Sequence, residues 1–146
     1  MLAPAGYGGI FPVVWPAYCH PPPGLLCRWH AEVVTNLLHQ AGEPVHLAEA
    51  AFEVFFAERQ RVDLFDDALP ALAFWSQRMP VVALSNGNAD VHRVGIGQHF
   101  HASVSAQSLG VAKPDLRIFV AGAAAAGVLP HEVLHIGDDA HADCVG

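Results

Sequence analysis

Basic residues are scarce: seven Lys and Arg stand against fourteen Asp and Glu, a formal charge of −7 over 146 residues. No basic cluster gathers them, which argues against a nucleic-acid or anionic-membrane surface and favours a small diffusible substrate. Cysteine is equally thin. Cys19, Cys27 and Cys144 form no Cys-x-x-Cys pair and lie far apart, so neither a disulfide framework nor a thiolate zinc site is indicated, and a reducing cytoplasm is the expected location. Long apolar runs are missing as well. Pro4, Pro12, Pro16, Pro21, Pro22 and Pro23 interrupt the apolar amino-terminal stretch, which carries no Lys or Arg before Arg28; it reads as neither a membrane span nor a signal peptide. Aspartate is absent before Asp63, no Asp-x-Asp occurs anywhere, and no internal repeat is visible.

What remains is 53% hydrophobic, enough for one good core and a single domain with a small helical annex. Composition shifts once, near Gly24, from a Pro- and Gly-rich segment (1–24) to helical periodicity. Leu26, Trp29, Val33, Leu37 and Leu38 recur at spacings of three and four, predicting a helix from Leu25 to Gln40 stopped by Gly42. A second helix is predicted from about Leu47 to Gln60, with Leu47, Ala51, Val54 and Phe55 inward. A third starts near Asp66 or Asp67, either able to cap it, and carries Leu69, Leu72 and Trp75. Short apolar runs then alternate with helices: strand 80–84, helix 88–96, strand 102–106, helix 115–126 closed by Gly127, strand 133–137. Such alternation predicts an α/β fold, a doubly wound parallel sheet, with the helices of 25–62 as a cap on a core of 63–146.

In such sheets ligands sit at the carboxyl ends of strands, and the polar residues of this chain fall there. Ser85, Asn86 and Gly87 follow the first strand in "LSNGNAD"; Lys113 follows the second in "VAKPD"; Asp138, Asp139 and Asp143 follow the third in "IGDDAHAD". A hydroxyl with neighbouring N–H groups accepts a phosphoryl oxygen, a lysine offsets its charge, and clustered carboxylates hold a hard Mg²⁺. Each piece alone has a plainer reading. Ser-Asn-Gly is usually a turn, a lysine before proline is usually solvated, and paired aspartates often cap helices. Hydroxyl, lysine and acid pair in succession at three strand ends is the pattern that independent turns would not produce.

From Leu64 to Gly146 the chain resembles a haloacid dehalogenase superfamily hydrolase: "VVALSNGNAD" is similar to the family's second motif, "GVAKPD" to its third and "VLHIGDDAHADCVG" to its fourth. The resemblance implies Mg²⁺-dependent phosphatase chemistry through an aspartyl-phosphate, on a small phosphorylated metabolite. It implies that Ser85, with the Asn86 backbone, binds the phosphoryl group, and that Lys113 steadies both that group and the nucleophile. Asp138, with Asp139 or Asp143, would hold the metal. The first motif, two aspartates one residue apart on the central strand, is missing. In its place stands "GYGGIFPVVWPAYCHPPPG", where Ile10, Phe11, Val13 and Val14 mimic an apolar strand but Pro12 cannot donate to a ladder. Tyr18, Cys19 and His20 cannot replace a carboxylate nucleophile without different chemistry.

The resulting expectation is a partial or frame-shifted product of a phosphohydrolase gene, inactive for want of its nucleophile. The alternative is a non-catalytic remnant that binds phosphate or metal; a haloacid dehalogenase ranks below both, because the acid cluster suits a metal that dehalogenation does not need. Without a central strand, poor solubility is expected. A competing motif, "HEVLH" from His131 to His135, matches the His-Glu-x-x-His of zinc peptidases, but Pro130 before it and the apolar residues within it favour a strand. There the imidazoles stand about 13 Å apart at roughly 3.3 Å per residue. His39, His46, His92, His99, His101 and His141 read as surface or loop residues, and Ala123 to Ala126 as a close-packed helix face.

Overall fold

The computed structural model describes residues 26–145, with side chains from Glu32 onward. The segment 1–24, including the strand-like Ile10 to Val14, lies outside the described residues, as do the side chains of Leu26 and Trp29.

Helix α1 (Leu26–Ala41) stops where Gly42 takes φ 72°, which an L side chain rarely adopts. The Glu43 N–H then reaches back to Leu38 O at 2.9 Å and satisfies one of the terminal carbonyls. A 3-10 turn (Val45–Leu47) leads into α2 (Ala48–Glu58), which packs against α1. Along α2, Phe52 stacks on Phe56 with ring centroids 5.9 Å apart. An exposed connection, 61–67, precedes α3 (Ala68–Ser76). Asp67 occupies the N-cap position of α3, but its side chain makes no capping hydrogen bond. The inward positions expected here are less covered than the periodicity suggests. Val54, Leu69 and Trp75 are 66%, 44% and 46% exposed.

Strand β1 (Val82–Ser85) pairs in parallel with β2 (Ala102–Ser105), Val82 opposite Ala102 and Ser85 opposite Ser105. Parallel pairing brings both carboxyl ends to one edge of the fold, where their loops begin together. Between them lie α4 (Val91–Val94) and a 3-10 turn (Gly97–His99), in place of the single helix 88–96 expected from the sequence. The left-handed Gly95 separates the two. A short α5 (Ala106–Leu109), capped by Ser105 and not foreseen, follows β2. Helix α6 (Leu116–Ala126) crosses both strands, burying Ile118 completely and Ala123 to 2% exposure. Gly122 allows this approach, since a Cβ there would stand 3.3 Å from a Leu84 methyl.

One expected element is corrected. Residues 133–137 do not form a strand. The segment is extended at Val133 (φ −94°, ψ 129°), after a 3-10 turn (Pro130–Glu132), but has no ladder partner among the described residues, whose sheet has two strands. A strand exists through its neighbour's hydrogen bonds, and the position where a central strand would offer them is not filled by any described residue. Leu134 and Ile136 are accordingly 83% and 80% exposed. The chain then enters α7 (Ala140–Cys144), capped by Asp139. No described helix is long and apolar enough to cross a membrane.

Candidate functional site

Three loops converge beyond the carboxyl end of β1. The Gly87 N–H donates to Ser85 Oγ at 2.9 Å. That bond fixes the hydroxyl by one of its lone pairs and leaves its single O–H free to donate elsewhere. The turn is tight enough that a Cβ on Gly87 would stand 3.2 Å from the same oxygen.

Asn86 turns its side chain onto the backbone of the second loop. Its Nδ2 donates to Lys113 O at 3.0 Å, and its Oδ1 accepts from Lys113 N at 2.8 Å. A carboxamide carries donor and acceptor side by side and so closes both halves of a backbone pairing, much as a neighbouring strand would. The sequence assigned Asn86 a backbone contribution; its side chain is the working part. Lys113, its side chain only 13% exposed, then reaches Asp143 Oδ1 at 2.5 Å. One ammonium proton is committed there and two remain for an anion.

Asp143 is the electrostatic centre of the third loop. Its side chain is 3% exposed and accepts from Lys113, stands 2.9 Å from His135 Nε2, and takes the Asp139 N–H on Oδ2 at 3.0 Å. The Lys113 hydrogen bond first, then His135 and the Asp139 N–H, hold its carboxyl well below the usual carboxylate range against the cost of desolvation. Gly137 is required beside it, because any Cβ at that position would overlap the Asp143 carboxyl. His135 also meets the Phe119 ring edge to face at 5.0 Å, which ties the extended segment to α6.

The site residues named from the sequence therefore divide. Ser85, Asn86, Lys113 and Asp143 are joined through hydrogen bonds and chain adjacency across the three loops. Asp139 serves as a helix cap, its Oδ1 accepting the N–H groups of His141 and Ala142 at 2.9 Å each. Asp138 is exposed and makes no hydrogen bond or ion pair with another described residue. As a magnesium donor set these carboxylates fall short: both Asp143 oxygens and one Asp139 oxygen are already engaged, and no group of three His, Cys, Asp or Glu among the described residues is placed to hold a metal ion. His131 is exposed in its 3-10 turn while His135 turns to Asp143.

Two residues escaped the sequence reading. His135 was visible only as part of a motif that needs a helix; its place just ahead of "GDD" was the available signal. Gln60, 6% exposed, had no local signal at all. A cavity of about 290 Å³ lined by Pro80, Val81, Phe100 and His101 opens at the amino ends of the strands, away from these loops.

Comparison with known proteins agrees with the α/β fold. Residues 25–145 match the haloacid dehalogenase-like hydrolase family. The chain is 31% identical over 143 residues to a phosphoserine phosphatase of Thermus thermophilus, covering 91% of this chain and 57% of that protein. It is 30% identical over 123 residues to the 5-amino-6-(5-phospho-D-ribitylamino)uracil phosphatase of Escherichia coli, covering 82% and 52%. The chain thus spans about half the length of these relatives. The crystal structure of a 2-haloacid dehalogenase from Pseudomonas syringae superposes with a TM-score of 0.77 at 26% identity, over 97% of this chain and 64% of that one. With its parallel α/β sheet and its strand-end loops, the chain belongs to the haloacid dehalogenase-like hydrolase family.

Proposed function

We propose that this chain carries the phosphate-recognising half of a phosphohydrolase site for a small phosphorylated metabolite, and that it does not turn that ligand over. The observation that supports the reading is the continuous connection from Asn86 through the Lys113 backbone and Nζ to Asp143. It draws the loops after β1, before α6 and before α7 to one place, with the Ser85 hydroxyl and two lysine protons left to meet phosphoryl oxygens. The phosphatase relatives favour a phosphate ester over a halogenated acid.

Inactivity rests on the chemistry the family resemblance implies. Phosphoryl transfer through an aspartyl-phosphate needs a carboxylate on the central strand that the resemblance implies. The chain has no aspartate before Asp63. Magnesium is the cofactor the same resemblance implies, and Asp138 is the carboxylate we assign to face it. Because the described donors do not complete a metal site, no chemical step is assigned to the ion. Ser85 and Lys113 bind and orient; Asp143 holds Lys113 in place.

Phosphate release from a generic aryl phosphate, measured with and without Mg²⁺ for this chain and for Asp138→Asn, tests the proposal. The expected result is no turnover above buffer in any arm. Metal-dependent release abolished by Asp138→Asn would overturn it and restore an active phosphatase.

A further inference from the structure

From Ala57 to Val62 every residue is exposed except Gln60, which is 6% exposed, as is its partner Asn88. A polar side chain buried in an exposed stretch costs free energy unless its donors and acceptors are met. Here they are met mostly across the molecule. Gln60 Nε2 donates to Asn88 O at 3.4 Å and, within its own helix end, to Phe56 O at 3.2 Å; Gln60 Oε1 accepts the Asp90 N–H at 2.8 Å. Beside it, Arg59 Nε donates to Asn88 Oδ1 at 2.8 Å.

The residues grasped in this way, Asn88 and Asp90, belong to the same loop whose Asn86 grasps Lys113. Five residues are thus held from two sides, by the end of α2 on one and by the lysine loop on the other. Asp90 in turn starts α4 by accepting the His92 N–H at 2.7 Å, so a shift at Gln60 moves a helix start as well as the loop. Nothing in the binding chemistry uses Gln60 directly, since its donors and acceptor are all engaged by backbone.

We propose that Gln60 is a positioning residue that couples the helical segment of α1 and α2 to the phosphate loop 85–90, setting the loop's readiness to bind phosphate; this rests on the phosphate-binding reading above. The carboxamide is specific for the task. It offers a donor toward two carbonyls and an acceptor toward an N–H from one planar group. An ionised carboxylate of the same shape keeps the acceptor but turns an oxygen against Asn88 O and Phe56 O. A protonated carboxyl restores the missing donor.

Gln60→Glu in the full chain therefore carries its own rescue. Inorganic phosphate affinity is measured by calorimetric titration from neutral pH downward, as the ratio of variant to wild type, which cancels the titration of phosphate itself. The ratio is expected to show about 10-fold weaker binding at neutral pH and to return to within about 2-fold once the glutamate protonates, at a pH raised by burial. A variant equal to wild type at neutral pH, or a deficit that does not recover with acid, overturns the coupling. In parallel, amide hydrogen exchange without ligand is followed at Gln60 and at Ser85 to Asp90. Faster exchange in the variant spreading from Asp90 to Gly87 supports the coupling, and exchange changes confined to Gln60 and Asp90 overturn it. If wild type binds no phosphate, the functional reading falls, and the exchange result alone decides for Gln60. If Gln60→Glu does not fold, Arg59→Met, which removes the bond to Asn88 Oδ1 and the guanidinium over the Phe55 ring from an exposed position, is followed at the same amides. Loosening by about 3-fold at Asn88 through Gly87 supports the coupling, and loosening confined to the end of α2, where Arg59 also lies over the Phe55 ring, or none at all, overturns it.

Discussion

Asn86→Ala is the sharpest perturbation of the candidate site, because it deletes two hydrogen bonds at 3.0 and 2.8 Å without touching a group assigned to the ligand. At about 1 kcal/mol net for each neutral hydrogen bond, the variant loses about 2 kcal/mol of stability. The cost is in leaving Lys113 N–H and C=O to find water. Its effect on binding is separate. If the clamp sets where Lys113 Nζ meets a phosphoryl oxygen, the most that can be lost is that one charge-assisted bond, about 1.5–3 kcal/mol, or roughly 10- to 100-fold in phosphate affinity. Stability is read from urea unfolding and affinity from phosphate titration, for Asn86→Ala, Lys113→Met and the double variant. Asn86→Ala is expected to weaken binding in the wild-type background and to have almost no further effect once Lys113 is Met, a strongly non-additive cycle. Additive losses would refute the reasoning, since Asn86 would then act on phosphate without Lys113.

Other consequences follow from the same coordinates. Gly137→Ala forces the Asp143 carboxyl aside and is expected to weaken phosphate binding as much as Lys113→Met does; unchanged affinity would mean Lys113 needs no anchor. Asp143 has its folded pKa depressed below its unfolded value, so its contribution to stability is present above about pH 4 and is lost as pH falls below that toward the folded pKa. Thermal melts of Asp143→Asn should lack that part of the acid-side decline, and an identical decline would contradict the assignment. Ile118→Ala empties a fully buried position under α6 and should cost about 2–5 kcal/mol, roughly 5–20 °C in Tm for a domain of this size. Leu134→Lys with Ile136→Lys covers the exposed 133–137 segment with charge and should raise the soluble fraction measured by light scattering; a wild-type chain that melts sharply as a soluble monomer would contradict the expected aggregation.

The parallel strand pair was legible because it depends on local pattern. Short apolar runs ending in Ser85 and Ser105, with helix signals after each, give a parallel pair whose loops share one edge, and the candidate residues Ser85, Asn86 and Lys113 could be read from the segments that follow. What could not be read depends on partners distant in the chain. A strand at 133–137 has the right residues, but its existence turns on a neighbour, and none of the described residues supplies one, so Leu134 and Ile136 stand exposed. Asn86 and Lys113 are 27 residues apart and Gln60 and Asp90 are 30 apart. No periodicity announces that a carboxamide will close on a backbone so far away. Asp139 shows the reverse case, where the ordinary local role as a helix cap is the one the structure uses.

The central claim is that loops 85–90, 110–115 and 137–143 form one phosphate site. Amide and lysine chemical shifts followed by NMR during a titration with inorganic phosphate test it most directly. The account predicts that Ser85 to Gly87, Lys113 and Asp138 to Asp143 shift together and saturate with a single Kd. Shifts that saturate at different concentrations in the three loops, or that avoid them, would contradict it.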